Sequence, residues 1–310
     1  MSNTPLATLL LASTLLLTAC SVAGSPGSPG SPGSPGPGSS ISPDGGTSTP
    51  GATLLAIDHA RGASDVILRM STGGGFMAPG FIVTEAPEFT LYGDGTVILR
   101  DTKAEPPPAG LDPVHRLAPF RTGHLSEVPV QVLLAFALDQ GELRTALAQY
   151  PPHGIMDAPS TTFTIAAGGT TKTVNVGALG FDQAQPDPNA AARKAFLALA
   201  DRLTAFAHDG TLTTSLYQPT AYRGFLAEDG AQIPAGGAIA WPWSAFGPEA
   251  FVASTGGNGP SIPSRTLSVA TVAELGLADL AGGASGIVLR SRDGKTYALS
   301  LRPLLPDEAR

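Results

Sequence analysis

The chain has 310 residues, of which 42% are apolar, 14% are charged and 6% are aromatic, and its formal net charge is -7. An acidic chain lacks the basic surface that binds phosphate backbones, so the composition excludes a nucleic-acid-binding protein. A single cysteine excludes an intrachain disulfide and a cysteine-based zinc site. The 38 glycines and 29 prolines exclude a coiled coil, whereas the apolar fraction is too high for a wholly disordered chain.

An apolar run covers residues 6–17 and is followed by Thr18, Ala19 and Cys20. A helix of this length spans about 18 Å, which is well short of the roughly 30 Å hydrocarbon core of a bilayer. The run therefore predicts a secretory signal peptide over residues 1–19 and not a membrane-spanning helix.

The tetrapeptide Leu17-Thr18-Ala19-Cys20 resembles the lipobox of bacterial lipoproteins. The resemblance implies diacylglycerol on the Cys20 thiol, cleavage before Cys20, and acylation of the new amino group. Several acyl chains, each contributing about 0.8 kcal/mol per buried CH₂, anchor a protein stably. We therefore expect a lipid bilayer as a partner, with the protein on the outer side of the cytoplasmic membrane or on an outer membrane. The alternative is an ordinary secretory peptide with Cys20 near its cleavage site.

Repeats of Gly-Ser-Pro lie between Gly24 and Gly36, within a stretch rich in glycine, serine and proline that extends to residue 50. The triplets are too few to hold a collagen triple helix. Their composition predicts that residues 20–50 form a disordered linker behind the lipidated cysteine. We expect residues 51–310 to form the globular region.

Strand-forming arms on both sides of glycine-containing turns predict three antiparallel hairpins in the globular region. Their turns lie at Gly93-Asp94-Gly95, at Gly168-Gly169 and at Asp293-Gly294. The hairpins cover residues 88–101, 161–176 and 286–302, and further strands are expected at residues 64–71 and 81–84.

Apolar residues at helical spacing behind a capping residue predict helices between the hairpins. The expected helices cover residues 126–141, 142–150, 187–210 and 271–280, the last with a Thr271-x-x-Glu274 capping box. Hairpins interspersed with helices predict an α+β fold with antiparallel sheets. The length permits one domain, or two subdomains with a break near residues 182–188.

Three segments of the globular region resemble parts of uncharacterised secreted proteins and lipoproteins from GC-rich bacteria. They are residues 89–98 (from Phe89-Thr-Leu-Tyr), 157–165 (from Asp157-Ala-Pro-Ser) and 302–308 (from Arg302-Pro-Leu-Leu). The resemblance implies an exported domain of unknown function, and no catalytic residues come with it.

No spacing of the five histidines indicates a metal site, and no nucleophile or phosphate-loop motif is present in the sequence. Turns and helix caps explain four of the conspicuous carboxylates, at Asp94, Asp187, Glu274 and Asp293. The carboxylates without a local explanation are Asp65, Glu85, Glu88 and Asp182. We therefore predict no catalytic residue, no metal ligand and no cofactor.

Both tryptophans of the chain lie in Trp241-Pro242-Trp243. If they are exposed, they form a platform for a sugar ring or a peptide, and if they are buried, they belong to the core. Tyr217, Tyr222 and Phe225 extend the platform or the core. The sequence favours burial and leaves both alternatives open.

These features together predict a lipid-anchored, exported module that binds an unknown envelope protein or glycan, or has a structural role in the cell envelope. The absence of a catalytic motif from the sequence favours binding over catalysis. The alternative is an envelope hydrolase that acts on polysaccharide or peptide.

Overall fold

The computed structural model describes residues 56–76, 82–100, 105–107, 114–183, 185–228, 237–253 and 262–309. The predicted signal peptide, Cys20 and the predicted linker lie outside the described residues. Residue contacts group Leu54–Arg310 into one unit. Within the described ranges, no helix has the length and the apolar character needed to cross a bilayer.

Eight strands form the first sheet, in the spatial order β6-β8-β7-β1-β2-β3-β5-β9. Every neighbouring pair is antiparallel except β6 and β8, which run parallel. Its strands are β1 (Val66–Gly73), β2 (Phe89–Tyr92), β3 (Thr96–Arg100), β5 (Phe120–His124), β6 (Gln149–Tyr150), β7 (Ser160–Ala167), β8 (Thr170–Gly177) and β9 (Thr214–Leu216).

Six strands form the second sheet, in the order β11-β13-β14-β10-β12, and β4 pairs with β13 beside this path. The β11–β13 pair is parallel and the other pairs are antiparallel. Its strands are β4 (His115–Arg116), β10 (Ala221–Glu228), β11 (Ile239–Ala240), β12 (Ser264–Ser268), β13 (Ala284–Arg290) and β14 (Thr296–Pro303). Apart from β4, the second sheet therefore follows the first along the chain, and the change occurs between Leu216 and Ala221.

Helices are few among the described residues. They are α1 (Glu127–Ala135), which continues as a π-helical turn (Phe136–Gln140), α2 (Ala190–Ala205), α3 (Val269–Ala273) and a single 3₁₀ turn (Pro248–Ala250). The fold is thus rich in sheet, with mixed strand directions and few helices, and it is only roughly compatible with the expected α+β class.

The three predicted hairpins are confirmed as β2–β3, β7–β8 and β13–β14. Gly168 and Gly169 have φ values of 57° and 71°, and Ala167 pairs with Thr170 directly beside them. A two-residue turn that needs positive φ at both positions strongly favours glycine, which is why this turn could be read from the sequence.

Some predicted elements are wrong. Residues 142–150 form turns and the short strand β6 instead of a helix. In the described part of the strand expected at residues 81–84, Ile82 is helical and residues 83–84 form a turn, with a hydrogen bond from Glu85 N to Ile82 O (3.2 Å). The expected capping box at Thr271 is also wrong, because α3 begins earlier. Its N-cap is Ser268, whose side chain accepts a hydrogen bond from Thr271 N (3.1 Å).

Helices α1 and α2 cover one face of the first sheet and form its core. The buried face of α2 carries Phe196, Leu199 and Leu203, as the helical spacing predicted. The Phe196 ring lies 4.9 Å from Tyr150 and 6.0 Å from Phe163, measured between centroids. A second, separate core lies on the second sheet. It contains Trp243, and Trp241 packs against it.

A buried cation fixes the start of α2. The guanidinium of Arg193 donates hydrogen bonds to the carbonyls of Gly177 (2.6 Å) and Tyr150 (3.1 Å), at the ends of β8 and β6. It also forms an ion pair with Asp187, whose carboxylate contacts His153 at 3.3 Å. Asp187, expected as an N-cap, therefore pairs with the cation that joins the helix to the sheet, and Asn189 takes the cap position.

The last described residues connect the two sheets. Residues 304–308, here called the C-terminal strap, follow β14 and return to the first sheet. Leu304 N donates to Ala221 O (2.9 Å), and Tyr217 Oη donates to Leu304 O (2.9 Å). Leu305 is fully buried among Tyr92, Ile98 and Phe120 of the first sheet. The strap thus fills a small third core between the sheets.

Two carboxylates of the strap are held by arginines. Asp307 accepts hydrogen bonds from Arg69 Nη2 (2.7 Å) and Tyr92 Oη (2.7 Å) of the first sheet. Glu308 forms a bidentate pair with Arg302 at 2.9 Å for both bonds. Burial by itself would raise the pKa of Asp307, but the hydrogen bonds from Arg69 and Tyr92 outweigh it and lower that pKa.

Replacing the buried leucine of the strap tests its role. We expect Leu305→Ala to lower the free energy of unfolding by about 3 kcal/mol, because a buried Leu→Ala change removes apolar contacts and leaves a cavity. Leu147→Ala is the matched control, because Leu147 is 60% exposed and an exposed site costs at most about 0.5 kcal/mol. Equal losses in urea unfolding would contradict the role of the strap.

The lowered pKa of Asp307 predicts a pH dependence of stability. A carboxyl with a lowered folded-state pKa stabilises the fold above its unfolded pKa of about 3.9, and this contribution is lost as the pH falls through the folded value. Asp307→Asn removes the contribution, so its stability deficit, measured by urea unfolding, is expected to shrink between about pH 7 and about pH 2.5. Exposed Asp182→Asn serves as control. A deficit independent of pH would contradict the ion pair.

Candidate ligand-binding cleft

The two tryptophans occupy different environments on the second sheet. Trp243 is buried at 2% exposure, and its Nε1 donates to Thr271 O (2.9 Å). Trp241 is half-buried, and its Nε1 donates to Phe246 O (2.8 Å). Trp243 is therefore a core residue, whereas Trp241 packs against the same core and is only partly covered.

An aromatic cluster holds Trp241 in place. Its ring centroid lies 5.1 Å from that of Trp243 and 6.1 Å from that of Tyr297, both in edge-to-face geometry. Phe246 stacks on Trp243 at 5.0 Å, and Arg265 lies over the Phe246 ring at 4.4 Å. Edge-to-face and stacked pairs each stabilise beyond the area they bury. The ring of Trp241 is thus fixed by neighbours before any ligand arrives.

A cleft of about 730 Å³ opens beside this cluster. One wall is aromatic, with Trp241, Phe246 and Tyr297, and it continues into the 3₁₀ turn that carries Glu249. The other wall is polar and comes from the β13–β14 turn, with Ser291, Arg292 and Asp293. Pairing of β11 with β13 places these walls together, because Ala240, next to Trp241, lies opposite Arg290.

The titratable groups of the cleft include a carboxylate, Asp293, and a phenol, Tyr297. The hydroxyl of Ser291 donates to Asp293 and lowers the pKa of that carboxyl, which thus accepts hydrogen bonds as an anion. Burial raises the pKa of the Tyr297 phenol, which stays an O–H donor at neutral pH. The cleft therefore offers one flat apolar wall and a few polar groups of both kinds, as small-molecule sites do.

The other aromatic residues considered from the sequence lie elsewhere. Tyr217 packs against Phe120 at 6.5 Å beside the strap, Tyr222 is buried in the second core, and Phe225 lines a different groove. Tyr297 and Glu249 of the cleft were missed by the sequence analysis. Tyr297 is far from Trp241 along the chain and reaches the site because β14 pairs with β13, which pairs with β11. Glu249 lies in the 3₁₀ turn after β11, where no motif marks it.

The unassigned carboxylates do not converge on the cleft. Asp65 accepts from Gly62 N (3.1 Å) in a turn, and Asp182 is exposed. Glu85 accepts from Gly74 N (3.1 Å), and Glu88 accepts from Thr72 Oγ1 (3.0 Å), both where β1 ends and β2 begins. The pKa of each glutamate is raised because burial disfavours its charged form.

The histidines are separated from one another. His59 contacts Glu127 at 3.3 Å, His124 contacts Asp94 O at 3.0 Å, and His153 contacts Asp187. In the part of the chain that the structure describes, no three His, Cys, Asp or Glu side chains come together as a metal site.

Comparisons with known proteins found no match to this chain among family models, curated proteins or solved structures. The residues of the cleft are thus the basis for a functional proposal.

Proposed function

We propose that the chain is an exported, lipid-anchored module that binds a glycan of the cell envelope in the cleft beside Trp241. The anchor is the acylated Cys20, which the lipobox-like tetrapeptide supports. The observation that supports the binding site is the half-buried Trp241, which is fixed by its aromatic neighbours. It lines a cleft of about 730 Å³ whose other wall is the polar β13–β14 turn.

A glycan suits the two walls of this cleft. The apolar face of a sugar ring packs on an aromatic side chain, while its hydroxyls need donors and acceptors at the rim. Tyr297 and Arg292 provide donors, and Glu249 and Asp293 provide acceptors. The cleft is lined by two carboxylates, Glu249 and Asp293, and one guanidinium, Arg292, so it suits a neutral ligand better than an anion.

One carboxylate of the cleft supports binding over hydrolysis. Hydrolysis of a glycosidic bond requires a carboxylic acid that keeps its proton near neutral pH, beside a second carboxylate. Glu249 and Asp293 both line the cleft, but the pKa of Asp293 is lowered by Ser291, and Asp293 also accepts from Lys295 N (3.4 Å). Asp293 thus acts as an anionic acceptor in the turn and not as a proton donor.

Calorimetry of the full chain with chitotetraose tests the cleft. We expect binding by the native chain and a loss of affinity of about tenfold or more in Trp241→Ala, because the apolar wall is removed. Tyr297→Phe, which keeps the ring and removes one donor, is expected to weaken binding several-fold. Tyr222→Phe is the matched control, because Tyr222 is buried in the second core outside the cleft.

The outcomes separate the alternatives. Native affinity in both Trp241→Ala and Tyr297→Phe, or no binding by the native chain, would overturn the glycan-binding proposal. Release of shorter sugars from chitotetraose by the native chain would replace it with the hydrolase alternative.

Detergent partitioning tests the anchor. When the chain is produced in a bacterium that acylates lipoproteins, we expect the native protein in the Triton X-114 phase and Cys20→Ala in the aqueous phase, because several buried acyl chains dominate the partition. Ser21→Ala is the control and is expected to behave as native. Unchanged partitioning of Cys20→Ala would show that the protein is not lipid-anchored through this residue.

A further inference from the structure

A second groove, of about 580 Å³, lies where the two sheets meet and is distinct from the cleft beside Trp241. Its floor belongs to the face of the first sheet opposite to α1 and α2. Phe225 and Arg302 of the second sheet form one wall, and residues 82–87 form another. The groove is therefore built from elements that the strap holds together.

The floor presents a row of uncharged polar side chains. Ser71 pairs with Thr162 across β1 and β7, and Thr162 pairs with Asn175 across β7 and β8, so all three point to one face. Neighbouring strands lie about 4.8 Å apart, so the row extends over about 10 Å. Asn175 Nδ2 donates to Thr162 Oγ1 (3.1 Å), which fixes the orientation of the amide. A ligand on this floor meets both donors and acceptors.

The charges of the groove argue against an anionic ligand. Arg69 is paired with Asp307 at 2.7 Å, and Arg302 is paired with Glu308 at 2.9 Å. Glu85 adds a further carboxylate, whose oxygens lie where a side chain on Gly73 would be. Each arginine that lines the groove thus already has its own carboxylate, and an anion would meet a surplus of negative charge.

The remaining walls are apolar and of modest size. Ile82, Ala86 and Pro87 line one side, and the half-buried ring of Phe225 lines the other. An apolar wall above hydroxyl and amide groups suits a ligand that has C–H faces and many hydroxyls but no charge. This is the chemistry of a neutral sugar.

We propose that the groove between the sheets is a second binding site, which takes a neutral sugar unit on the row Ser71, Thr162 and Asn175. The proposal rests on the proposed function for its class of ligand but uses none of the same residues. With two separate sites, the module can contact one long glycan, or two glycans, at once. Binding at the first site raises the effective concentration of a long glycan at the second site, which increases the overall affinity.

The isosteric pair Thr162→Val and Thr164→Val tests this site. Both threonines lie on β7 and on the same face, and each contacts a polar partner on β8, Asn175 at 3.1 Å and Thr173 at 3.4 Å. Only Thr162 lines the groove. NMR titration of the labelled full chain with chitotetraose measures each site separately, through the amides of Thr162 and Asn175 and through the indole N–H of Trp241.

We expect chitotetraose to shift the amides of the groove, and we expect Thr162→Val to raise the dissociation constant there about tenfold, while Thr164→Val leaves it unchanged. Absence of shifts in the groove, equal effects of the two variants, or equal shifts with inorganic phosphate would overturn the second site. Shifts at the groove without shifts at Trp241 would contradict the proposed function and leave the groove site standing.

Discussion

The carboxylate of Asp307 is the point on which the arrangement of the two sheets depends. It accepts from an arginine and a tyrosine of the first sheet, while the residues just before it continue from the last strand of the second sheet. A partly buried carboxylate is stable only when donors compensate for its lost hydration. Both donors come from the opposite sheet, so the charge is satisfied only when the sheets are together. Leu305 adds apolar burial at the same place, and the two effects reinforce each other.

The two proposed ligand sites follow from different parts of this arrangement. The cleft beside Trp241 lies within the second sheet and depends on the parallel pairing of β11 with β13. The groove lies between the sheets and depends on the strap, because Glu308 of the strap lines it and holds Arg302 of its wall. The globular region is rich in glycine and proline. These residues shorten strands and lengthen connections, and binding surfaces are usually found on connections.

Local chemistry explains what could be predicted from the sequence. The Gly168-Gly169 turn requires positive φ, and the apolar spacing of α2 requires a buried face, so both are visible within a few residues. Long-range contacts explain what could not be predicted. Arg193 is a buried cation in the first turn of an otherwise ordinary helix, and its burial is explained only by Asp187 and the distant carbonyl of Tyr150. Likewise, Trp241 and Trp243 are two residues apart, and the buried indole of Trp243 is held by the distant carbonyl of Thr271 in α3.

The bond between Arg69 and Asp307 joins residues that are 238 positions apart in the chain. Contacts between distant residues form late and slowly, since most of the chain must be ordered or confined before they are made. A chain that is synthesised or translocated from its amino end presents the first sheet long before the strap emerges. Until then Tyr92, Ile98 and Phe120 lack Leu305, and an apolar surface stays open to chaperones or to aggregation. The completion of this core is therefore timed by the emergence of the strap.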